Sequence, residues 1–263
     1  MNRVKLIIKT AVQSKYFWIV LLFLCVICVS IVASVMADKS TVRTWSNGKK
    51  IPIYSVETNE KKVALSFDAA WGNEDTKTIL DILKKHNIKV TFFMTGGWVA
   101  KYPEDVKAIA QAGHDLGNHS ENHKQMSKLS YDGCLEEILK VHNKVEDLTG
   151  QSMCLFRPPY GDYNDKLIEA CDEVGYYTIQ WDVDSLDWKD YGARNIVDTV
   201  LHHKNLRNGS IILMHNGAKY TKDALEDVIV GLKELGYEIV PISELIYSDG
   251  YEIDHTGRQY ITQ

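Results

Sequence analysis

Two histidines, His119 and His123, have types and a spacing that could do chemistry. They lie four residues apart, and in a helix that spacing places two imidazoles one turn from each other, so that both can point at one spot. Neutral imidazole is the commonest protein ligand for zinc, and histidine pairs at this spacing recur in catalytic zinc sites. The spacing alone fits a pair of surface or capping histidines on a polar turn equally well.

The residues that could do chemistry, this pair included, follow predicted strands. They are Asp68 after the first strand, His119 and His123 after the third, Arg157 and its neighbours after the fourth, Asp182, Asp184, Asp187 and Trp188 after the fifth, and His215 after the sixth. In a βα barrel the carboxyl ends of the strands form the active-site face. We therefore expect these side chains to converge on one rim.

The elements that must position these residues alternate along the chain. Apolar runs predict seven strands, at residues 63–67, 90–94, 114–118, 154–156, 177–181, 210–214 and 238–240. Helices are predicted at residues 73–86, 103–112, 130–149, 164–174, 193–203, 220–235 and 242–247. Such alternation indicates a parallel sheet of the α/β class. Seven strands without a Gly-rich phosphate loop favour a barrel over a nucleotide-binding sheet, so no nucleotide cofactor is expected.

The N-terminal residues have a different character from the rest. Residues 17–36 carry no charged side chain and are long enough to cross a bilayer as a helix. Lysines and an arginine precede this run and Asp38 follows it, which places residues 1–16 in the cytoplasm. We predict a single-pass anchor in the cell membrane, a linker at 37–61 and an extracytoplasmic domain at 62–247. The alternative is a secreted protein, released by signal-peptide cleavage near Ala37.

Composition excludes one class of partner. The net charge is −5 and the chain has no basic stripe, so nucleic acid is not expected to bind. Three cysteines fall in the exported body and allow at most one disulfide; their spacing does not match a metal site. Residues 248–263 form a polar C-terminal tail that is expected to lie on the surface or to be disordered.

Five motifs, in order, resemble those of the polysaccharide deacetylase family, the NodB-homology proteins of carbohydrate esterase family 4. They are Ser66-Phe67-Asp68-Ala69-Ala70-Trp71-Gly72, the histidine pair, Arg157-Pro158-Pro159-Tyr160-Gly161, Val183-Asp184-Ser185-Leu186-Asp187-Trp188, and Leu213-Met214-His215. The resemblance covers residues 62–247 and implies a distorted (β/α)7 barrel of the NodB-homology type. It also implies a divalent metal, usually zinc, that polarises the acetamide carbonyl of an N-acetylated sugar.

The resemblance assigns roles position by position. The expected catalytic residues are Asp68 as base, His215 as the acid that protonates the leaving amine, Arg157 as the group that orients the base, and Asp187 as the partner of the acid histidine. The expected metal ligands are His119 and His123. The expected substrate-binding residues are Tyr160, whose backbone N–H holds the oxyanion, Trp188 as an apolar wall, and Leu213 beside the acetyl methyl.

The first motif departs from the family pattern at one position. The second aspartate of that motif, usually the carboxylate ligand of the metal, is Ala69 in this chain. The altered motif resembles a variant found among sporulation-type deacetylases of Gram-positive bacteria. Either Asp68 itself shifts onto the metal, or Glu74 or Asp75 reaches in; the other interpretation of Glu74 and Asp75 is a pair of first-turn acids favoured by the helix dipole.

These observations predict a membrane-anchored, metal-dependent hydrolase. It would remove acetyl groups from N-acetylated amino sugars of a cell-envelope polysaccharide, with the cell-wall glycan peptidoglycan as the expected substrate. Two alternatives remain open: a glycan-binding pseudoenzyme without metal, and an O-acetyl esterase that acts on polysaccharide.

Overall fold

The computed structural model describes residues 49–262 and, near the N-terminus, residues 18, 19, 22 and 23. Apart from those four residues, the predicted cytoplasmic segment, the predicted anchor at 17–36 and most of the predicted linker lie outside the described residues. Within the described part of the chain, none of the helices has both the length and the apolar character needed to span a bilayer.

One parallel sheet organises the domain. After a short strand β1 (Ser55–Val56), its strands are β2 (Lys62–Ala69), β3 (Thr91–Met94), β4 (Asp115–Asn118), β5 (Leu155–Phe156), β6 (Tyr177–Thr178), β7 (Val183–Asp184), β8 (Ile211–Asn216) and β9 (Glu238–Val240). The order across the sheet is β6-β5-β4-β3-β2-β8-β7, and β9 pairs with the first residues of β2. The longest strand, β2, therefore lies at the centre.

Helices connect the strands. They are α1 (Thr76–Lys85), α2 (Gly96–Lys101), α3 (Pro103–Gln111), α4 (Tyr131–Thr149), α5 (Asp165–Glu173), α6 (Ala193–Leu201), α7 (Thr221–Glu234) and α8 (Ile242–Leu245). The Ser130 hydroxyl caps α4 by accepting from the Gly133 N–H, and Asn164 caps α5 in the same way. Gly150, at φ 70°, ends α4 in the left-handed conformation that favours glycine. All seven predicted helices are present, and α2 was not predicted.

The two faces of β2 serve different purposes. Val63, Leu65, Phe67 and Ala69 are buried in the larger core cluster, whereas Ala64 belongs to the smaller one. Side chains alternate between the faces of a strand, so Asp68 lies on the face opposite to Ala69. The face that carries Asp68 opens at its carboxyl end into a cleft.

The structure confirms a parallel α/β architecture consistent with the predicted distorted barrel, but the sheet has one strand more than the seven predicted. It is a half-barrel of eight strands, because β7 joins the seven that were predicted. In the described part of the chain β6 and β7 do not pair with each other; Ile53 bridges to Ile179 and Ser55 to Ser210 instead. A two-residue strand such as β7 is too short to show a periodic pattern.

The C-terminal residues form an ordered hairpin, whereas the sequence predicted a tail that lies on the surface or is disordered. Strands β10 (Tyr251–Ile253) and β11 (Arg258–Ile261) are antiparallel, and β11 also pairs with β1. Gln259 is fully buried, and its side-chain amide bonds both the N–H and the carbonyl of Tyr247. The polar composition of this segment gives no apolar pattern from which a hairpin could be predicted. The buried Gln259 amide is tolerated because backbone groups satisfy it.

Candidate active site

A cleft of about 460 Å³ opens at the carboxyl ends of the central strands. It is lined by Asp68, Ala70, Trp71, His119, His123, Tyr160, Trp181, Asp184, Trp188, Leu213 and His215. Seven of the nine site residues named from the sequence are among them. The other two, Arg157 and Asp187, are fully buried and hydrogen-bonded to Asp68 and His215. The fold thus brings all nine together.

A buried arginine holds the carboxylate at the end of β2. Arg157 Nη1 donates to Asp68 Oδ1 at 2.8 Å, and Nη2 donates to Ser66 Oγ at 2.9 Å and to the Gln180 carbonyl at 3.2 Å. The guanidinium also lies over the Phe93 ring, 4.1 Å from its centroid. These contacts fix the orientation of the Asp68 carboxylate. The sequence motifs did not reveal that Ser66 and Gln180 help to hold this arginine.

The electrostatic surroundings keep Asp68 ionised. Burial alone raises the pKa of Asp68, but the charge and hydrogen bond of Arg157 and the charge of His215 outweigh that effect and lower its pKa below the ordinary value. Its second oxygen, Oδ2, lies 3.5 Å from His119 Nε2. An ionised carboxylate with one oxygen held and the other facing the cleft is suited to accept a proton.

The histidine pair lies on the loop after β4, so the helical geometry expected from its spacing is wrong. Ser120 and His123 both adopt left-handed backbone conformations, at φ 65° and 52°, and the two imidazole centroids lie 4.9 Å apart. His119 Nδ1 donates to the Arg157 carbonyl at 2.7 Å, which leaves Nε2 directed at Asp68. Burial lowers the pKa of His119 to about 4, so the ring is neutral, as a metal ligand must be.

The donor set for a metal is short by one carboxylate. Ala69 is fully buried in the core, Glu74 is exposed, and Asp75 accepts from the Gly217 N–H; none of the three lines the cleft. Within the described residues no group of three or more His, Cys, Asp or Glu side chains is arranged to hold a metal ion. Of the alternatives, Glu74 and Asp75 thus do not supply a ligand, and two imidazoles beside Asp68 Oδ2 remain.

A second buried carboxylate holds the histidine at the end of β8. His215 Nδ1 donates to Asp187 Oδ1 at 2.7 Å, and the His215 backbone N–H donates to Oδ2 at 2.7 Å. The Thr221 hydroxyl donates to Oδ2 at 2.6 Å; in the sequence this threonine showed only as the start of a predicted helix. Burial lowers the pKa of His215, but the hydrogen bond and charge of Asp187 more than offset it, so the pKa is raised.

Replacement of this carboxylate should change how His215 titrates. In Asp187→Asn we expect the pKa of His215 to fall, because the charge that favours the imidazolium is lost. The alkaline limb of the pH profile of kcat/KM should then move to lower pH. Because the pKa of His215 is raised on folding, its protonation stabilises the fold below the unfolded pKa, and that stabilisation is lost as pH rises through the folded value.

NMR titration of the His215 ring in both proteins measures the change, with the exposed His202 ring as an internal reference. An identical His215 titration in wild type and variant would contradict the assignment of Asp187.

Aromatic side chains wall the cleft. Trp71, Tyr160 and Trp188 are 52%, 67% and 52% exposed. The Trp71 ring lies 5.5 Å from the His215 ring, and the Tyr160 ring lies 4.6 Å from that of His123. Exposed aromatic faces beside polar groups suit the apolar faces of sugar rings. Trp71 and Trp181 were not among the residues assigned from the sequence.

Sequence comparisons identify relatives of this chain. A profile described as polysaccharide deacetylase matches residues 55–179. The peptidoglycan-N-acetylglucosamine deacetylase PgdA of Listeria monocytogenes is 37% identical over 225 residues, covering 86% of this chain and 46% of PgdA. The chain thus spans about half the length of that relative. A peptidoglycan-N-acetylglucosamine deacetylase of Bacillus cereus is 36% identical over 196 residues, covering 73% of this chain and 70% of the relative.

Solved structures show the same relationship. The wild-type pseudoenzyme BA3943 of Bacillus anthracis superposes with a TM-score of 0.72 at 35% identity, covering 80% of this chain and 73% of that one. A mutant of BA3943 with restored enzymatic activity gives a TM-score of 0.71 at 38% identity over 75% of this chain and 72% of that chain. Together with the fold and the five motifs, these likenesses show that the chain belongs to the polysaccharide deacetylase family, carbohydrate esterase family 4.

Proposed function

We propose that this chain removes acetyl groups from the N-acetylated amino sugars of peptidoglycan by hydrolysis of the acetamide bond. The observation that carries the proposal is the pair of opposite ionisable groups in the cleft. The pKa of Asp68 is lowered and that of His215 is raised, so the cleft favours an ionised base beside a protonated acid. Amide hydrolysis needs both, one to activate water and one to protonate the leaving nitrogen. Relatives named as peptidoglycan deacetylases support the choice of substrate.

Each group has a step in the proposed reaction. Asp68 Oδ2 accepts the proton of the attacking water, while Arg157 holds Oδ1 and keeps the carboxylate oriented. The Tyr160 backbone N–H stabilises the oxyanion that forms. His215 gives the proton on Nε2 to the sugar nitrogen, because its Nδ1 is bound to Asp187.

The cleft walls position the substrate. We propose that Leu213 contacts the acetyl methyl and that Trp71 and Trp188 pack on sugar rings. Trp71→Ala should raise KM for peptidoglycan oligosaccharides by roughly tenfold, because an aromatic contact of about 0.5–1.5 kcal/mol is lost together with apolar area. Steady-state kinetics measure the KM of this variant. The control is Tyr191→Ala, which removes an aromatic ring of 66% exposure that does not line the cleft. Equal KM values for wild type and Trp71→Ala would refute the stacking role.

The ion we propose is zinc, held by His119 and His123. Neutral imidazole is the commonest protein ligand for zinc, and the centroids of the two rings lie 4.9 Å apart and both rings line the cleft. When bound, the ion supplies Lewis-acid polarisation of a carbonyl oxygen. With alanine at position 69, the affinity rests on the histidine pair, because Asp68 is assigned to the base.

Calorimetric titration of the chain with zinc tests this site without a substrate. We expect one ion per chain in wild type, no binding in His119→Ala, and unchanged binding in His202→Ala, which removes an exposed histidine elsewhere. The reason is that each ligand of a two-histidine site contributes a large share of the affinity. A folded wild-type chain that binds no zinc would contradict the metal proposal.

A second candidate function is that of a glycan-binding pseudoenzyme. The observations that favour it are Ala69 in the first motif and the likeness to the Bacillus anthracis pseudoenzyme. It predicts glycan binding in the aromatic-walled cleft without acetate release. An O-acetyl esterase would use the same base and acid, so comparison of N-acetylated with O-acetylated glycan separates it from the deacetylase.

The proposed location follows from the charge pattern near the N-terminus. A membrane anchor at 17–36 with cytoplasmic residues 1–16 would hold the domain beside the cell wall. Protease accessibility of the domain on intact cells tests this arrangement, and a domain that is protected until the cells are lysed would contradict it.

A further inference from the structure

A groove continues the catalytic cleft beyond His123 and Tyr160. These two side chains line both the cleft and the groove, and the groove's other lining residues are Lys124, Gln125, Lys128 and Leu129. The His123 and Tyr160 rings meet edge to face at 4.6 Å and form the boundary between the two spaces. The groove thus directly adjoins the space in which the proposed function places the reacting sugar.

The groove differs from the cleft in charge. Asp68 and Asp184 line the cleft, whereas no acidic residue is among those that line the groove. Lys124 Nζ lies 2.8 Å from Glu137 Oε1, so its charge is balanced by a carboxylate that is almost fully buried. Lys128 is exposed, and its ammonium has no ion-pair or hydrogen-bond partner in the part of the chain that the structure describes. Lys128 is thus the uncompensated cation of the groove.

We propose that Lys128 binds a carboxylate carried by the sugar next to the reacting one. The inference rests on the proposed function and narrows its substrate to polymers that contain acid-bearing amino sugars of the N-acetylmuramic type. Neutral polymers of N-acetylglucosamine offer no group of this kind. A carboxylate in the groove would accept a charge-assisted hydrogen bond from Lys128 beside the side-chain amide of Gln125. Its source is either the lactyl group of the sugar or a peptide attached to it.

Lys128 can be tested cleanly because its side chain is exposed and its ammonium makes no hydrogen bond or ion pair in the described residues. Lys124 is a poorer probe, because its removal would leave Glu137 buried without a cation. Lys204 provides a matched control: it is also an exposed lysine without a partner in the described residues, on the loop that leads to the opposite, N-terminal end of β8.

The experiment measures binding by the full-length chain, not turnover. The probes are an oligosaccharide of alternating N-acetylglucosamine and N-acetylmuramic acid, and the same oligosaccharide with its carboxyl groups reduced to alcohols. We expect wild type and Lys204→Met to bind the acid form roughly tenfold more tightly, and Lys128→Met to bind both forms equally. The preference should weaken between about 0.1 M and about 1 M salt, where the screening length shrinks.

A third probe, with peptides attached to the lactyl groups, identifies the source of the carboxylate. Tighter binding than the reduced probe, lost in Lys128→Met, assigns it to the peptide; binding equal to the reduced probe assigns it to the lactyl group. Equal binding of all probes by wild type, or a preference that survives in Lys128→Met, overturns the proposal. A chain that shows the preference but releases no acetate would refute the deacetylase function alone.

Discussion

Asp68→Asn should abolish acetate release from peptidoglycan, with a loss of roughly 10²–10⁴-fold relative to wild type. Asparagine has the shape of aspartate but cannot accept the proton of the attacking water. The measurement is the rate of acetate release at saturating glycan. Asp198→Asn serves as the matched control, because it removes an exposed carboxylate that pairs with Arg194 on α6. Full activity in Asp68→Asn would show that another group is the base.

The same substitution should also weaken the fold. Arg157 is fully buried, and Asp68 is the carboxylate to which its guanidinium is hydrogen-bonded. Thermal unfolding must therefore accompany the rate measurement, at a temperature where both proteins are folded. A loss of activity supports Asp68 as the base only if the variant is folded under the assay conditions.

Arg157→Met should produce the largest loss of stability of any substitution at the site. Removing one partner of a buried ion pair leaves the other charge uncompensated, at a cost of about 3–5 kcal/mol. The methionine also loses the contacts of the guanidinium with Ser66, Gln180 and the Phe93 ring. Urea unfolding gives the free energy of unfolding directly.

Two comparison variants show whether that loss of stability comes from the buried charge pair. Arg157→Met with Asp68→Leu removes both charges and should recover part of the stability, because no charge is then left buried alone. Arg194→Met, which breaks an exposed pair, should cost no more than about 1 kcal/mol. A double variant that is as unstable as the sum of its single variants would mean that the charges do not act as a pair.

The fold could be predicted to the extent that its elements leave local signals. Buried parallel strands such as β2 and β8 are apolar runs, and helices α4 and α5 begin at residues that cap them, Ser130 and Asn164. Strand β7 and the C-terminal hairpin left no such signal. Their pairing depends on distant partners, as the contact between β11 and β1 shows.

The residue types at the site could be predicted from their order along the chain, but their geometry could not. Of six non-glycine residues with positive φ among those described, five lie on the loops around the cleft: Ser120, His123, Tyr160, Leu186 and Asp190. Without glycine at these positions the sequence does not mark the turns. Long-range contacts hold such turns; Glu137 on α4, for example, accepts from both the backbone and the side-chain amide of Asn122.

Ala69 in the first motif is a position at which the role of a residue could not be assigned from its place in the motif alone. The sequence marked Ala69 as a lost ligand and suggested Glu74 and Asp75 as replacements. In the structure the Ala69 side chain is buried in the core, and Asp75 is engaged with the loop after β8. The choice between enzyme and pseudoenzyme therefore depends on His119, His123 and Asp68.

Mass spectrometry of peptidoglycan oligosaccharides after incubation with the zinc-supplied chain tests the central claim most directly. We predict that N-acetyl groups are lost with wild type and retained with Asp68→Asn. Loss of O-acetyl groups alone would assign the chain to the esterase alternative. Intact N-acetyl groups after incubation with a folded, zinc-supplied chain would contradict the deacetylase function.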